Sequence, residues 1–295
     1  MAKIGPDPVT YKDVVEYVRD YSDFEFELKV LAQLTSAKFT CDHGGVYEDP
    51  VTKKSREFDI RAVRTLGCLR ARLAVECKNL RANYPLVVHG GKRRAQESYR
   101  DILIRRVRES RSPLYKVHNE SPDPGDVFRE QPDLCVYRKG ELVGKHPDQV
   151  GRHVDGKTLI TGDGEVYDKL SQAIHSSYDL INAALFERDD GFDKASIILP
   201  VLVVPDSTIW LVPYEEDGTR KVDPLLVDRI SLYVGKTWQV GQVTNYTISH
   251  LEIVTYSALI KWLNWLLDDE CGWDQVFHTT KYGLQDLRRE SRNLI

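Results

Sequence analysis

The 295-residue chain has no C-x-x-C pair, and its five cysteines (Cys41, Cys68, Cys77, Cys135 and Cys271) are scattered and odd in number. That excludes a disulfide framework and a structural zinc site, and it fits a reducing, cytoplasmic setting. Cys41 and His43 offer half of a metal site with no second half. The N-terminus, Met1 to Pro6, has no apolar signal core. Long hydrophobic runs are missing too: Ile197 to Val204 is too short to span a bilayer, and Lys261 and Asn264 interrupt the C-terminal apolar stretch. No membrane partner is expected. A strong excess of basic charge is also absent. With a net charge of -4 and 41% hydrophobic residues, the chain can bury a full core, but it attracts phosphate only through local patches.

What is present is one organising stretch. Glu57-Phe58-Asp59-Ile60-Arg61-Ala62 and Leu73-Ala74-Val75-Glu76-Cys77-Lys78 each alternate with period two, as strands do. Thr65-Leu66-Gly67-Cys68 between them is short and carries a glycine, which predicts a hairpin. A turn closed by Thr65 and Cys68 places Asp59 opposite Ala74 and Glu57 opposite Glu76. Asp59, Glu76 and Lys78 then share one face of the sheet, and Phe58, Ile60, Leu73 and Val75 line the other. Two hard carboxylates on adjacent strands suit Mg²⁺ or Mn²⁺. Lys78 lies about 7 Å beyond Glu76 on the same side, within reach of a bound water or a phosphate oxygen.

Asp59 followed by Glu76-Cys77-Lys78 resembles the D…(D/E)-x-K signature of the PD-(D/E)XK, or restriction endonuclease-like, nuclease superfamily. The proline that names the motif is replaced by Phe58. A helix carrying a further glutamate often precedes this hairpin in that family, and Asp23 to Leu31, with Glu27 at the edge of its apolar stripe, stands in the expected place. The resemblance covers 23–78 at motif level, and 165–214 through element order alone. It implies an α/β fold, a central mixed sheet flanked by helices, with a large insertion and a C-terminal β/helical extension. It also implies Mg²⁺ or Mn²⁺ held by Asp59, Glu76 and the backbone carbonyl of Cys77, with Lys78 and Glu27 completing the catalytic set. The expected activity is phosphodiester hydrolysis in DNA, with RNA not excluded; a restriction or defence endonuclease is a fold-level analogy. The alternative is a non-catalytic nucleic-acid-binding or interaction module that keeps the fold.

The remaining chain is read around this centre. Helices are expected from Thr10 to Tyr21 and, capped by Ser22 or Asp23, on to about Ser36. The nuclease core is assigned to 1–80 and 160–215, a basic recognition insertion to 81–159, and strands, an apolar helix and a basic tail to 216–295. Within the insertion, Tyr99, Ile102, Leu103 and Val107 have helical spacing, which predicts an amphipathic helix with a cationic side. Its Lys92, Arg93, Arg94, Arg100, Arg105 and Arg106, with Arg61 and Arg72 on the catalytic face, are the expected phosphate contacts. Leu134 to Tyr137 is a candidate strand. Glu165 to Phe186 reads as a long helix on which His175 and Gln172 are assigned to packing or surface. Ser196 to Val204 and Thr208 to Val212 read as strands inside a covered sheet. Ile230 to Val234 and Thr247 to Val254 are expected either to extend it or to form a small β layer. Ser257 to Leu267 is a strongly apolar helix that packs on the core, with a homodimer or partner-protein surface as its alternative. Glu187, Asp189, Asp190 and Asp193 are read as a surface turn, and Arg288, Arg289 and Arg292 as part of a solvated helix.

Overall fold

A computed structural model describes residues 5–105, 126–130, 135–162, 164–187, 194–240 and 244–267. The chain opens with α1 (Tyr11–Asp20), whose N-cap Thr10 forms a reciprocal capping box with Asp13, and α2 (Phe24–Ser36). An antiparallel trio follows: β1 (Thr40–Glu48), β2 (Ser55–Leu66) and β3 (Leu69–Cys77). Then come β4 (Leu86–Lys92), a 3₁₀ turn at Ala95–Glu97, β5 (Asp101–Arg105), β6 (Asp126–Arg129), β7 (Leu142–Arg152) and β8 (Leu159–Gly162). The long helix α3 (Gly164–Leu185) leads to β9 (Lys194–Val204), β10 (Ile209–Tyr214), β11 (Leu225–Leu226), β12 (Arg229–Val240), β13 (Thr244–Thr255) and α4 (Tyr256–Leu267).

Among the described residues all thirteen strands join one mixed sheet, in the order β1-β2-β3-β9-β13-β12-β7-β4-β10-β11, with β5, β6 and β8 attached beside it. The protein is therefore α/β, a large mixed sheet flanked by helices. Its axis is β9, buried along its whole length, as a strand covered on both faces must be. On one side β9 runs parallel to β3, with Ala195 to Val203 pairing Leu69 to Cys77. Its other edge is shared: β5 pairs antiparallel with 194–196, and β13 pairs parallel with 201–204. Pro200, which has no N–H to donate, falls between those two partners, where a central strand tolerates it.

The two sheet faces are covered by different helices. Phe26, Val30 and Leu34 of α2 and Leu259, Trp262 and Leu263 of α4 pack with Ile60, Leu73, Val75 and Cys77 on one face. On the other, Leu180, Ile181 and Ala184 of α3 pack with Ala74 and Ile198. α4 thus packs on the core, leaving Trp265 of its outer side exposed. No helix among the described residues is long and apolar enough to cross a membrane.

Several expectations are corrected. The hairpin register differs by two residues: Leu66 pairs with Leu69 and Arg61 with Ala74, so the ladder leads to Asp59 opposite Glu76. The loop is the two-residue Gly67-Cys68, with Gly67 at φ +56°, the same length as a turn closed by Thr65 and Cys68 but one residue further along the chain. The shift is even, so Asp59 and Glu76 stay on one face and Ile60, Leu73 and Val75 on the other, whereas Lys78 lies past the end of β3 and turns to Asp23, just before α2. The described part of the segment expected as a cationic helix is instead the end of β4, a single 3₁₀ turn and β5, whose Asp101 to Ile104 are all buried; Val107 lies outside the described residues. Residues 81–159 supply β4, β5 and β7 to the common sheet. Cys135 to Tyr137 is not a strand, and Leu134 lies outside the described residues. Asp189, Asp190, Asp193, Cys271, Arg288, Arg289 and Arg292 also lie outside them.

Candidate active site

The hairpin β2–β3 presents Asp59 and Glu76 side by side on the face covered by α3, because both stand out of phase with the inward Ile60 and Val75. Asp59 Oδ2 accepts the Cys77 backbone N–H at 2.7 Å, and Glu76 Oε1 lies 3.5 Å from the Asp59 amide. Each acid is thus tied to the other's strand. The ammonium between them comes from α3. Lys169 Nζ lies 2.8 and 2.6 Å from the two Asp59 oxygens and 3.1 Å from Glu76 Oε2. Sequence reasoning missed this lysine entirely.

The electrostatics follow from burial. Glu76 is fully buried. Desolvation and the neighbouring Asp59 push its carboxyl well above the ordinary glutamate value, although Lys169 pulls the other way. Burial works against the charge of Lys169, but Glu76 and Asp59 outweigh it and hold the ammonium above the ordinary lysine range. Glu27 is raised as well, by burial and by Asp59. It pairs with His43 at 3.3 Å, so the half-site expected from Cys41 and His43 resolves into a contact between β1 and α2.

Lys78 leaves the end of β3 and donates to Asp23 Oδ2 at 3.2 Å, while Asp23 Oδ1 accepts the Asn79 amide at 2.8 Å. Asp23 therefore anchors the loop after β3 and does not close the α2 cap with its side chain. Phe58, in the position of the motif proline, packs its ring over Gly45, where any Cβ would collide with it. Arg61 stacks on that ring at 4.0 Å and pairs with Asp179 of α3 at 2.8 Å. One turn before Asp179, His175 Nδ1 meets the buried Asp49 carboxylate at 2.9 Å. Asp49 also accepts the Val51 and Thr52 amides. These contacts and His175 hold its carboxyl below the usual aspartate range despite burial. α3 thus turns Lys169, His175 and Asp179 toward the β1–β2–β3 surface.

The expected phosphate contacts divide sharply. Arg72 is buried and pairs with Glu187 at 2.8 Å. Arg93 is buried, donating to His250 Nε2 and to the Arg138 carbonyl. Arg100 is buried against Glu130 at 2.8 Å. These three are structural cations, unavailable to a strand outside. Lys92 is exposed, Arg94 is exposed and paired with Glu97 at 2.7 Å, and Arg105 is half-buried at the end of β5. Arg106 lies outside the described residues.

Two carboxylates from adjacent strands, with the Cys77 carbonyl next to Glu76 in sequence, fit the oxygen chemistry of Mg²⁺ or Mn²⁺. The raised Glu76 needs a nearby positive charge to stay ionised, and Lys169 supplies one. Among the described residues no group of three or more His, Cys, Asp or Glu side chains is arranged to hold a metal. Fold and site together define an α/β protein with an acid-rich centre at the hairpin. No protein-family model matches the chain, and searches of curated proteins and of solved structures find no significant match.

Proposed function

We propose that the protein is a metal-dependent nuclease that hydrolyses phosphodiester bonds in DNA, its centre built on Asp59, Glu76, Lys78, Glu27 and Lys169. The observation that carries this reading is the pair Asp59 and Glu76, facing each other on one sheet face with a lysine ammonium touching both. It is supported by the resemblance of Asp59 and Glu76-Cys77-Lys78 to the PD-(D/E)XK signature. Asp59, Glu76 and the Cys77 carbonyl would hold Mg²⁺ or Mn²⁺, which supplies Lewis-acid charge neutralisation and a more acidic water. Lys169, its pKa held high, remains an ammonium. It serves as an electrostatic partner for charge developing on a phosphate and not as a base. Glu27, with its raised proton affinity, is suited to accept a proton from the attacking water. Lys78 orients that water or the scissile phosphate.

The test is incubation of plasmid, single-stranded DNA and RNA with Mg²⁺, Mn²⁺, Ca²⁺ or EDTA. Cleavage is expected with the first two ions and not with EDTA, and Asp59→Ala and Glu76→Ala should abolish it. Lys78→Ala should bind DNA in Ca²⁺ like the parent yet cleave on the order of 10²-fold more slowly. Wild-type-like activity in either carboxylate variant would sink the assignment. One observation favours a second reading, the non-cleaving module: Lys169 already pairs with both acids in an ion cluster, a structural role that needs no metal. Absence of cleavage with every ion and substrate would select it.

A further inference from the structure

A cleft of about 370 Å³ begins two residues beyond Glu76, at Lys78, and runs between the α1–α2 junction, the β3–β4 loop and the β7–β8 hairpin. Its cations are Lys78, Arg81 and Arg152, and among the described residues no acidic side chain lines it. In a chain of net charge -4, that is a local reversal of sign. Asp23, which touches two of its lining residues, is committed to Lys78 and the Asn79 amide.

Two aromatic rings face the same space. Tyr21 is 54% exposed, and the Arg81 guanidinium lies 4.2 Å over its ring. Tyr84 forms a fixed wall. Its carbonyl accepts from Gln149 Nε2 at 3.3 Å, and its ring packs so closely on Gly151 that a Cβ there would come within 2.6 Å of it. The ring also packs on Gly162, where a Cβ would collide with the Tyr84 hydroxyl. Glycines in β7 and β8 thus make room for a tyrosine at the cleft. The chemistry is specific: guanidinium groups suit phosphate oxygens, and exposed aromatic faces suit unstacked bases. A duplex hides its base faces, and a volume near the lower end for small-ligand sites suits one nucleotide unit.

We propose that this cleft binds a single nucleic-acid strand beside the phosphodiester at the carboxylate pair. Arg81 and Arg152 sit on its backbone phosphates, and a base stacks on Tyr21. The position of that phosphodiester rests on the nuclease reading; the strand binding itself does not.

Binding is measured by fluorescence anisotropy in EDTA, where no metal-dependent cleavage occurs, with labelled single-stranded DNA, single-stranded RNA and duplex DNA of one sequence. The wild type should prefer single strands to duplex, and comparison of the DNA and RNA arms identifies the sugar. Arg81→Ala with Arg152→Ala, both at exposed positions, should weaken single-strand binding at least about tenfold. The double variant should also lower the slope of log affinity against log salt by roughly one to one and a half. Tyr21→Ala should cost single strands about fivefold or more and leave duplex affinity unchanged. Equal affinity for duplex and single strand, or unchanged affinity in the double variant, overturns the proposal. Binding that follows this pattern in a protein that cleaves nothing supports the cleft and removes the nuclease reading. Cleavage that persists while the cleft variants bind normally removes only the cleft.

Discussion

Lys169 and Glu76 stand 93 residues apart in the chain, yet Nζ and Oε2 meet at 3.1 Å in a site from which Glu76 is fully excluded from solvent. Removing the cation leaves a buried acid next to Asp59 with no counter-charge. Lys169→Met should therefore lose about 3–5 kcal/mol of stability in EDTA, as for a broken buried pair. If the carboxylates bind divalent ions, Mg²⁺ or Mn²⁺ should restore much of that loss by mass action. Thermal melts with and without metal check this; a loss that no ion repairs favours the structural reading.

The raised carboxyl of Glu76 has a defined pH signature. Its folded pKa lies above its unfolded value near 4.5, so the native state binds more protons than the unfolded chain across that interval. Stability then falls as pH rises from about 4.5 toward the folded pKa. Glu76→Gln should be more stable than the parent in EDTA at neutral pH, and the advantage should vanish below about pH 4.5. Denaturant titrations across pH 4–8 measure it, and a pH-independent difference between the two proteins would contradict it.

His250 acts in the opposite direction. Arg93 Nε donates to its Nε2 at 3.2 Å, so Nδ1 carries the proton and donates to Ser249 Oγ at 3.0 Å. Burial, with Arg93, Lys145 and Arg100 nearby, pushes its pKa down to about 2. A neutral folded histidine contributes stability above its unfolded pKa near 6.5, and that stability is lost as pH falls below it. The slope is at most about 1.4 kcal/mol per pH unit from this one group. His250→Gln should flatten the acid limb between pH 6 and 4, read from unfolding free energies at each pH.

Arginines in the segment after β3 should separate by burial. Arg100, ion-paired to Glu130 in the interior, should cost about 3–5 kcal/mol when changed to alanine and lower Tm by several degrees. Lys92→Ala and Arg94→Ala, at exposed positions, should leave Tm nearly unchanged. If either touches a DNA phosphate, its loss lowers the salt slope of binding by roughly one. Calorimetry and binding at several salt concentrations separate the two classes.

The carboxylate face was legible because strand periodicity is two, and a register error of two residues leaves Asp59 and Glu76 on the same side. Lys169 was not, because periodicity places it on α3 but does not say which sheet face α3 covers. The buried arginines were misread for a related reason. Charge density shows Arg93 and Arg100 but not Glu130 or His250, which reach them only through the sheet. Ile102, Leu103 and Ile104 form a short apolar run that fits either period, and pairing with β9 decides it for a strand. β1 gave little signal, since its Gly44-Gly45 step and polar outer residues hide the alternation. The order of β9 and β10 was plain, but their separation within the sheet was not: β10 pairs with β4, far from β9.

The distance in sequence between Glu76 and Lys169 also sets an order in time. At about 5–20 residues per second, the 93 residues between them take roughly 5–20 s to synthesise. Until β9 is made, β3 is the open edge of a three-stranded sheet, with Leu73, Val75 and Cys77 along it. Open apolar edges recruit other chains unless a charge interrupts them. A fragment covering 5–105 should accordingly aggregate faster with Glu76→Val than with Glu76, as light scattering would show. The acid that strains the finished protein guards the nascent one against its neighbours on the polysome.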